Sequence, residues 1–320
     1  MAGVLNGFAV IVVLVALGWI LARTQVLGND ARLVLNRLVF FVATPALLFD
    51  SLARTTLDQV FTGVFVVSAV SAIIIAVLYT AIARMWLHKP ASDLVIGALS
   101  AGYVNSANLG IPIALYVLGD LGFVMPLLLF QVVVLQPIAI AVLERAQSES
   151  SGSDEAHADG GALKGAFGAI MQAVRSPIVL SALAGVVMAA VPWTLPEMLL
   201  EPVKLVGQIS VPGALLVFGM SLYGVRILEA GASPRREIAL ASVLKLLAHP
   251  LVAYGLGAGL LGMQGHELLT VVVAAALPTA QNVLVVATRY GHGVLLARDS
   301  AVITTLGALP ILLLVSALLA

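Results

Sequence analysis

Ten windows of roughly 20 predominantly apolar residues, each long enough to cross a bilayer as a helix, constrain this chain more than any other feature. They fall at about 4–22, 33–53, 60–83, 94–118, 121–143, 177–192, 203–225, 237–262, 267–288 and 299–319. A chain that is 61% hydrophobic and 10% charged is far from the composition of a water-soluble domain. The expected fold is therefore an all-α, polytopic membrane protein.

Charge sets its orientation, because cytoplasmic connections collect Lys and Arg. Thirteen of the 16 basic residues fall in or beside the odd-numbered connections; Arg54 and Lys204 lie on the opposite side and Lys245 lies within a span. Odd connections are thus predicted to be cytoplasmic and both termini outside. The first span has no basic residue before it and no small-residue cleavage site, so it reads as a retained anchor.

Ten spans divide into two sets of five, and the second set must cross in the opposite sense. Pro45-Ala-Leu-Leu-Phe49 is echoed by Pro212-Gly-Ala-Leu-Leu-Val-Phe218, and Pro112 and Pro278 stand 166 residues apart at nearly the same period. The predicted organisation is an N-terminal five-helix repeat (1–143), a cytoplasmic linker with an interfacial helix (144–176) and an inverted C-terminal five-helix repeat (177–320). Within the linker, the small, polar and acidic stretch from Ser148 to Gly161 reads as disordered. Leu163, Phe167, Ile170, Met171 and Val174 then recur at helical spacing.

Pro112 and Pro278 sit in mid-span beside carboxamides, in Asn105-Ser-Ala-Asn108-Leu-Gly110-Ile-Pro112 and Pro278-Thr-Ala-Gln281-Asn282. Proline lacks an N–H and clashes with the preceding turn, so helices 4 and 9 are expected to break there and restart with the proline in the first turn. Irregular backbone at membrane depth survives only where it is buried in protein or lines a cavity. Two matching breaks mark a transporter's binding site, and restarted helices offer positive N-terminal ends to an anion. The candidate substrate-binding residues are Asn105, Ser106, Asn108, Gly110, Pro112, Pro278, Thr279, Gln281 and Asn282. The amides are equally suited to replacing the backbone partners that the breaks remove.

Lys245, followed at i+4 by His249 and then by Pro250, is the one lysine placed deep in a span. It is suited to balancing a substrate carboxylate, to carrying a proton, or to propping broken helices through their carbonyls. Gln131, Gln136, Tyr103 and Tyr116 read first as packing residues. No acidic residue lies near either break, which argues against a carboxylate-based cation relay, while a sodium site of carbonyls and amides stays open. Gly97, Gly102, Gly185, Gly255, Gly257 and Gly259 would let helices approach and slide.

Other functions find no support. A net charge of zero supplies no field for nucleic acid, the lack of cysteine removes thiol chemistry, and five scattered histidines have no metal-ligand spacing. Gly219-Met-Ser221-Leu lacks the glycine that a serine nucleophile's turn requires. No enzyme activity, metal or cofactor is expected.

Together, Asn105-Ser-Ala-Asn-Leu-Gly-Ile-Pro112, Lys245-Leu-Leu-Ala-His-Pro250, Ala276-Leu-Pro-Thr-Ala-Gln-Asn282 and Tyr290-Gly291 resemble the auxin efflux carrier family, nearer its prokaryotic branch than the plant PIN carriers. That resemblance implies a scaffold of spans one, two, six and seven, a mobile unit of the remaining spans, a homodimer and elevator-type alternating access. It implies transport of organic anions across a bacterial inner membrane, with Asn105 as the first ligand contact. The motif after Pro278 departs from the plant pattern, so small carboxylates such as malate or malonate are expected rather than auxin. A proton- or sodium-coupled exchanger and a non-translocating receptor are the alternatives.

Overall fold

The computed structural model describes residues 2–53, 63–119, 121–151, 171, 175–191, 196–224 and 227–319. Among them the chain is almost entirely helical and contains no strand. The helices are α1 (Ala2–Thr24), α2 (Ala31–Leu52), α3 (Gly63–Trp86), α4 (Ala91–Gly102) and α5 (Ser106–Leu118). Helix α6 comprises Val124–Phe130, Gln131–Leu135 and Gln136–Ser151, and α7 is Pro177–Ala190. The rest are α8 (Glu197–Ser221), α9 (Arg235–Leu260), α10 (Gly265–Ala276), α11 (Gln281–Tyr290) and α12 (Val294–Leu319).

Five of these, α2, α3, α8, α9 and α12, are long and apolar enough to cross a membrane unaided, and several shorter apolar helices accompany them. The hydropathy windows therefore locate the helices to within a few residues, with two larger shifts. Helix α6 runs on to Ser151, so Ser148–Ser151 are helical rather than the start of a disordered linker. Glu144, Arg145 and Gln147 favour helix as well as any apolar residue, so hydropathy alone does not show where that helix ends. Helix α8 begins at Glu197, before its apolar window. Met171 is helical and exposed; Leu163, Phe167, Ile170 and Val174 lie outside the described residues.

Four of the prolines inside helices, unlike Pro202 and Pro310, are absorbed by one device. Val39–Ala43, Ser106–Gly110, Gln131–Leu135 and Leu244–Ala248 are π-helical turns, and a proline follows each after one residue: Pro45, Pro112, Pro137 and Pro250. Thr44, Gln136 and His249, the residues just before three of these prolines, donate their N–H to the carbonyl five residues back. The wider turn takes up one extra residue and carries the pyrrolidine ring clear of the carbonyl it would otherwise strike. Pro112 accordingly does not break its span. The break lies at Tyr103–Asn105, seven to nine residues earlier, which corrects the sequence expectation.

Contacts divide the chain into two compact units. The first contains Met1–Thr62, Ala107–Pro126 and Val174–Val225. Its helices meet through small residues: a side chain at Gly18 would collide with the Leu216 backbone, and one at Gly219 with the Val15 carbonyl. At Gly185 a Cβ would stand 2.9 Å from the Phe49 carbonyl oxygen. The hydroxyls of Thr44 and Ser210, each just ahead of its span's proline, are 2.8 Å apart. Spans one, two, six and seven thus group as the family resemblance implies, but Ala107–Leu118 of α5 joins them.

The second unit contains Gly63–Ser106, Leu127–Ala173 and Arg226–Ala320. Its core runs through Ile75, Tyr79, Ile96, Leu143, Ile238, Val283 and Leu296, all nearly inaccessible. Gly97 and Gly102 lie against Tyr79 and the Ala72 carbonyl, and Gly257 lies against Leu268 and Val271. Gly255 and Gly259 face open space, so they are not close-packing positions.

Asp299, fully buried at the start of α12, accepts the Ser233 hydroxyl at 2.7 Å, the Leu228 N–H at 3.0 Å and Arg298 Nε at 2.8 Å. It pins the 227–233 loop to this unit. Lys89 and Glu237 add an ion pair at the start of α9.

Candidate binding site at the paired helix break

Helices α4 and α10 are each 12 residues long, and each ends in an extended segment, Tyr103–Asn105 after α4 and Leu277–Ala280 after α10. A break frees backbone groups that hydrocarbon cannot solvate. The two segments satisfy each other: Val104 and Thr279 form an antiparallel bridge, Asn105 N–H donates to the Pro278 carbonyl at 2.8 Å, and Ala280 N–H donates to the Tyr103 carbonyl at 3.1 Å. The pairing uses only the carbonyl of Pro278, so its missing N–H costs nothing there. It also explains how Tyr103 and Val104, which contain no helix breaker, come to be extended.

Thr279 ties this bridge to its surroundings. Its N–H donates to Thr304 Oγ1 at 3.0 Å, and its hydroxyl donates to the Ser100 carbonyl at 2.6 Å. Thr304 in turn donates to the Ser300 carbonyl at 2.7 Å. Ser100 lies in the last turn of α4, where carbonyls have no partner within the helix, so Thr279 caps that helix end from another span.

Of the sequence-predicted residues, the structure gathers Asn105, Ser106, Pro278, Thr279, Gln281 and Asn282 in the second unit. Asn105, Ser106 and Thr279 are buried, Gln281 is half-buried and Asn282 is exposed on the first turn of α11, where it is hydrogen-bonded to Tyr103. Ala280, the N-cap of α11, supplies no side-chain acceptor. This end therefore presents backbone donors and the positive pole of a ten-residue helix. Asn108, Gly110 and Pro112 belong to the first unit, on the resumed helix α5.

The acidic residues of the two half-helices, Asp93 and Glu267, both lie in first turns, at the ends away from the breaks. A 12-residue helix is about 18 Å long, so neither carboxylate reaches the bridge. No cluster suited to a metal occurs among the described residues.

A second polar cluster lies in the same unit. Lys245, fully buried in the π turn of α9, has Nζ 2.9 Å from His249 Nδ1 and 3.5 Å from the Ala275 carbonyl oxygen. His249 Nε2 is 3.2 Å from the Ser71 hydroxyl on α3, and that oxygen is 3.1 Å from the Ser68 carbonyl. Ala275 belongs to the last turn of α10, so the cluster touches the helix end that leads directly into the extended bridge.

Comparison with known proteins identifies the family. The sequence model of a family described as membrane transport proteins matches residues 4–316, nearly the whole chain. The chain belongs to that family. It is the auxin efflux carrier family that the motifs resemble. A Rhizobium meliloti protein named "Putative malonate transporter" is 27% identical to this membrane transport protein over 295 residues, covering 92% of the chain and 88% of the relative. An uncharacterized transporter of Methanothermobacter thermautotrophicus is 28% identical over 283 residues (87% and 85%). The uncharacterized transporter YfdV of Escherichia coli K12 is 23% identical over 306 residues (93% and 91%).

Two side chains of these clusters, Ser71 and Thr304, are not singled out by the sequence, and Tyr103, expected to be a packing residue, is bonded to Asn282. Ser68 and Ser71 lie one turn apart on an otherwise apolar helix, as do Ser300 and Thr304, and that spacing is a usable signal for a hydroxyl face. Gln131, taken as a packing residue, is buried, and its amide nitrogen has no partner among the described residues.

Proposed function

We propose that this protein is a secondary carrier of small organic anions, with the substrate carboxylate bound at the paired helix break. The observation that carries the reading is the bridge between Val104 and Thr279, which brings Asn105 and the N-terminus of α11 together at the ends of the half-helices away from Asp93 and Glu267. Backbone N–H groups and carboxamides there supply donors to an anion, and the positive helix end adds electrostatic attraction. The name of the Rhizobium meliloti relative supports a dicarboxylate of the malonate kind.

In this reading the ten apolar spans form two inverted five-helix repeats in a bacterial inner membrane, with both termini outside. The protein acts as a homodimer whose second unit carries the site between the two faces in an elevator-type movement. Neither a cofactor nor an enzymatic step is required.

Isotopic flux in proteoliposomes over a panel of malonate, malate and indole-acetate tests this reading. Wild type is expected to exchange at least one of them, and Asn105→Ala and Asn282→Ala are expected to lower its uptake about tenfold or more, the equivalent of one or two lost hydrogen bonds to a charged group. Unchanged flux and binding in both variants would falsify the assignment of the site. Binding without any flux in wild type would make the protein a receptor instead.

A further inference from the structure

The Lys245 cluster plays no part in holding the substrate in the reading above, yet the fold devotes the middle of a long helix to it. Lysine is expensive to bury, and this one has no accessible surface. Its π turn ahead of Pro250 widens α9 there, and such turns occur frequently at functional sites.

No carboxylate among the described residues answers its charge. Titratable groups on the elements packed against this turn are Tyr79 and Arg84 on α3, Asp93 on α4, His266 and Glu267 on α10, and Arg298 and Asp299 on α12. Helix α9 itself adds Arg235, Arg236, Glu237 and Tyr254. None of these bonds to or pairs with Lys245 or His249, which bond each other; Glu237 pairs with Lys89, and Asp299 holds Arg298 and Ser233.

The hydrogen-bond chain reads in two directions. With an ammonium at Lys245, Nζ donates to His249 Nδ1, Nε2–H donates to the Ser71 hydroxyl, and that hydroxyl donates to the Ser68 carbonyl. With a neutral amine, Nδ1–H donates to Nζ and Ser71 donates to Nε2. The two states differ by one proton, and every heavy atom keeps its place. The charged state also strengthens the contact with the Ala275 carbonyl at the negative pole of α10.

Transporters with broken helices commonly hold their coupling cation at such C-terminal half-helix carbonyls. Here those of α10 and α4 are met by Lys245 and Thr279 respectively. We infer that Lys245 and His249, completed by Ser71, form the coupling site of this carrier: a tethered ammonium at the C-terminal end of α10 stands where a sodium ion would, and a single proton loads and unloads it. Protonation strengthens the hold on α10 and so on the bridge that α10 leads into, which links proton occupancy to the substrate site. The proton is taken from water on one side and returned to water on the other as the unit moves. This inference rests on the carrier reading above.

The test uses the full chain in proteoliposomes with labelled malonate as the probe and the membrane potential clamped. A pH gradient of one unit, alkaline inside, is expected to drive wild-type accumulation up to about tenfold, the ratio for one proton per substrate. Lys245→Met and His249→Gln are expected to reach only equal distribution, and a sodium gradient is expected to drive none of them. Accumulation driven by sodium, or by the pH gradient equally in wild type and variants, overturns the inference.

A second measurement separates the two readings. Should wild type carry no carboxylate, the organic-anion reading falls alone, and the proton site is judged by thermal unfolding of the purified protein between about pH 5 and pH 9. The difference in unfolding midpoint between wild type and Lys245→Met is expected to change with pH; a constant difference refutes the proton site. If Lys245→Met does not fold, Ser71→Ala replaces it: loss of the terminal hydroxyl is expected to displace the wild-type pH profile by about half a unit or more, and an unmoved profile counts against the site.

Discussion

Replacing Thr279 by valine removes one hydroxyl from the bridge while keeping the side chain's shape and its preference for extended backbone. In the native structure that hydroxyl donates at 2.6 Å to the Ser100 carbonyl in the last turn of α4. The bridge's own bonds run between backbone groups of Asn105, Pro278, Ala280 and Tyr103 and do not involve the hydroxyl, so the bridge itself persists. The loss leaves a buried carbonyl unpartnered at a position without water, a destabilisation of about 1–3 kcal/mol. Thr279→Ser keeps the donor and loses one methyl, so it should cost about 1 kcal/mol.

Reversible unfolding in mixed micelles, with the denaturant midpoint and slope read by tryptophan fluorescence, measures both variants on one scale. The order expected is wild type, then serine, then valine. If Thr279→Val unfolds at the wild-type midpoint, or serine is as damaging as valine, then the hydroxyl does not cap α4 and the reasoning about the bridge is wrong.

Two further predictions follow from packing and charge. Gly219→Ala places a methyl against the Val15 carbonyl, which is backbone and cannot rotate away, so it should lower stability by about 1–3 kcal/mol; Gly259→Ala points into open space and should be neutral or stabilise by up to about 1 kcal/mol. Thermal midpoints of the two variants compare them directly, and equal midpoints contradict the contact. Asp299→Asn keeps the size of a buried acceptor but removes its charge, so hydrogen exchange at the Leu228 amide should speed up at least tenfold, while the bridge around Thr279 keeps its protection.

Pro112 and Pro278 mark how far local rules reach. Both prolines sit beside carboxamides, and both were expected to break a helix. At Pro278 the break occurs, but the proline lies in the extended segment and not in the first turn of α11, which begins at Gln281, and the partner segment needs only its carbonyl. At Pro112 a π turn relieves the ring's clash and the helix continues. The break in that span falls instead at Tyr103–Asn105, where the residues are weak helix formers but none is a helix breaker of proline's kind. The extended conformation there is set by hydrogen bonds to residues more than 170 positions away in the chain.

Lys245 and His249 show the opposite case. Their i, i+4 spacing within one apolar span made the pair legible, since both lie on one helix face. Their partners Ser71 and Ala275, which decide what the pair can do, come from other helices and were not legible.

From its sequence alone this chain is determined to be helical and membrane-embedded, with a deep lysine and histidine on one face and carboxamides in two interrupted spans. Those properties are local: hydropathy over twenty residues, spacing over four, and a proline's own geometry. Only the tertiary structure decided which interruption is a true break, which hydroxyls cap the exposed helix ends, and which helix end the buried lysine touches. Each of those rests on a hydrogen bond between distant segments, made because a backbone or charged group without water must find its partner wherever the fold brings one.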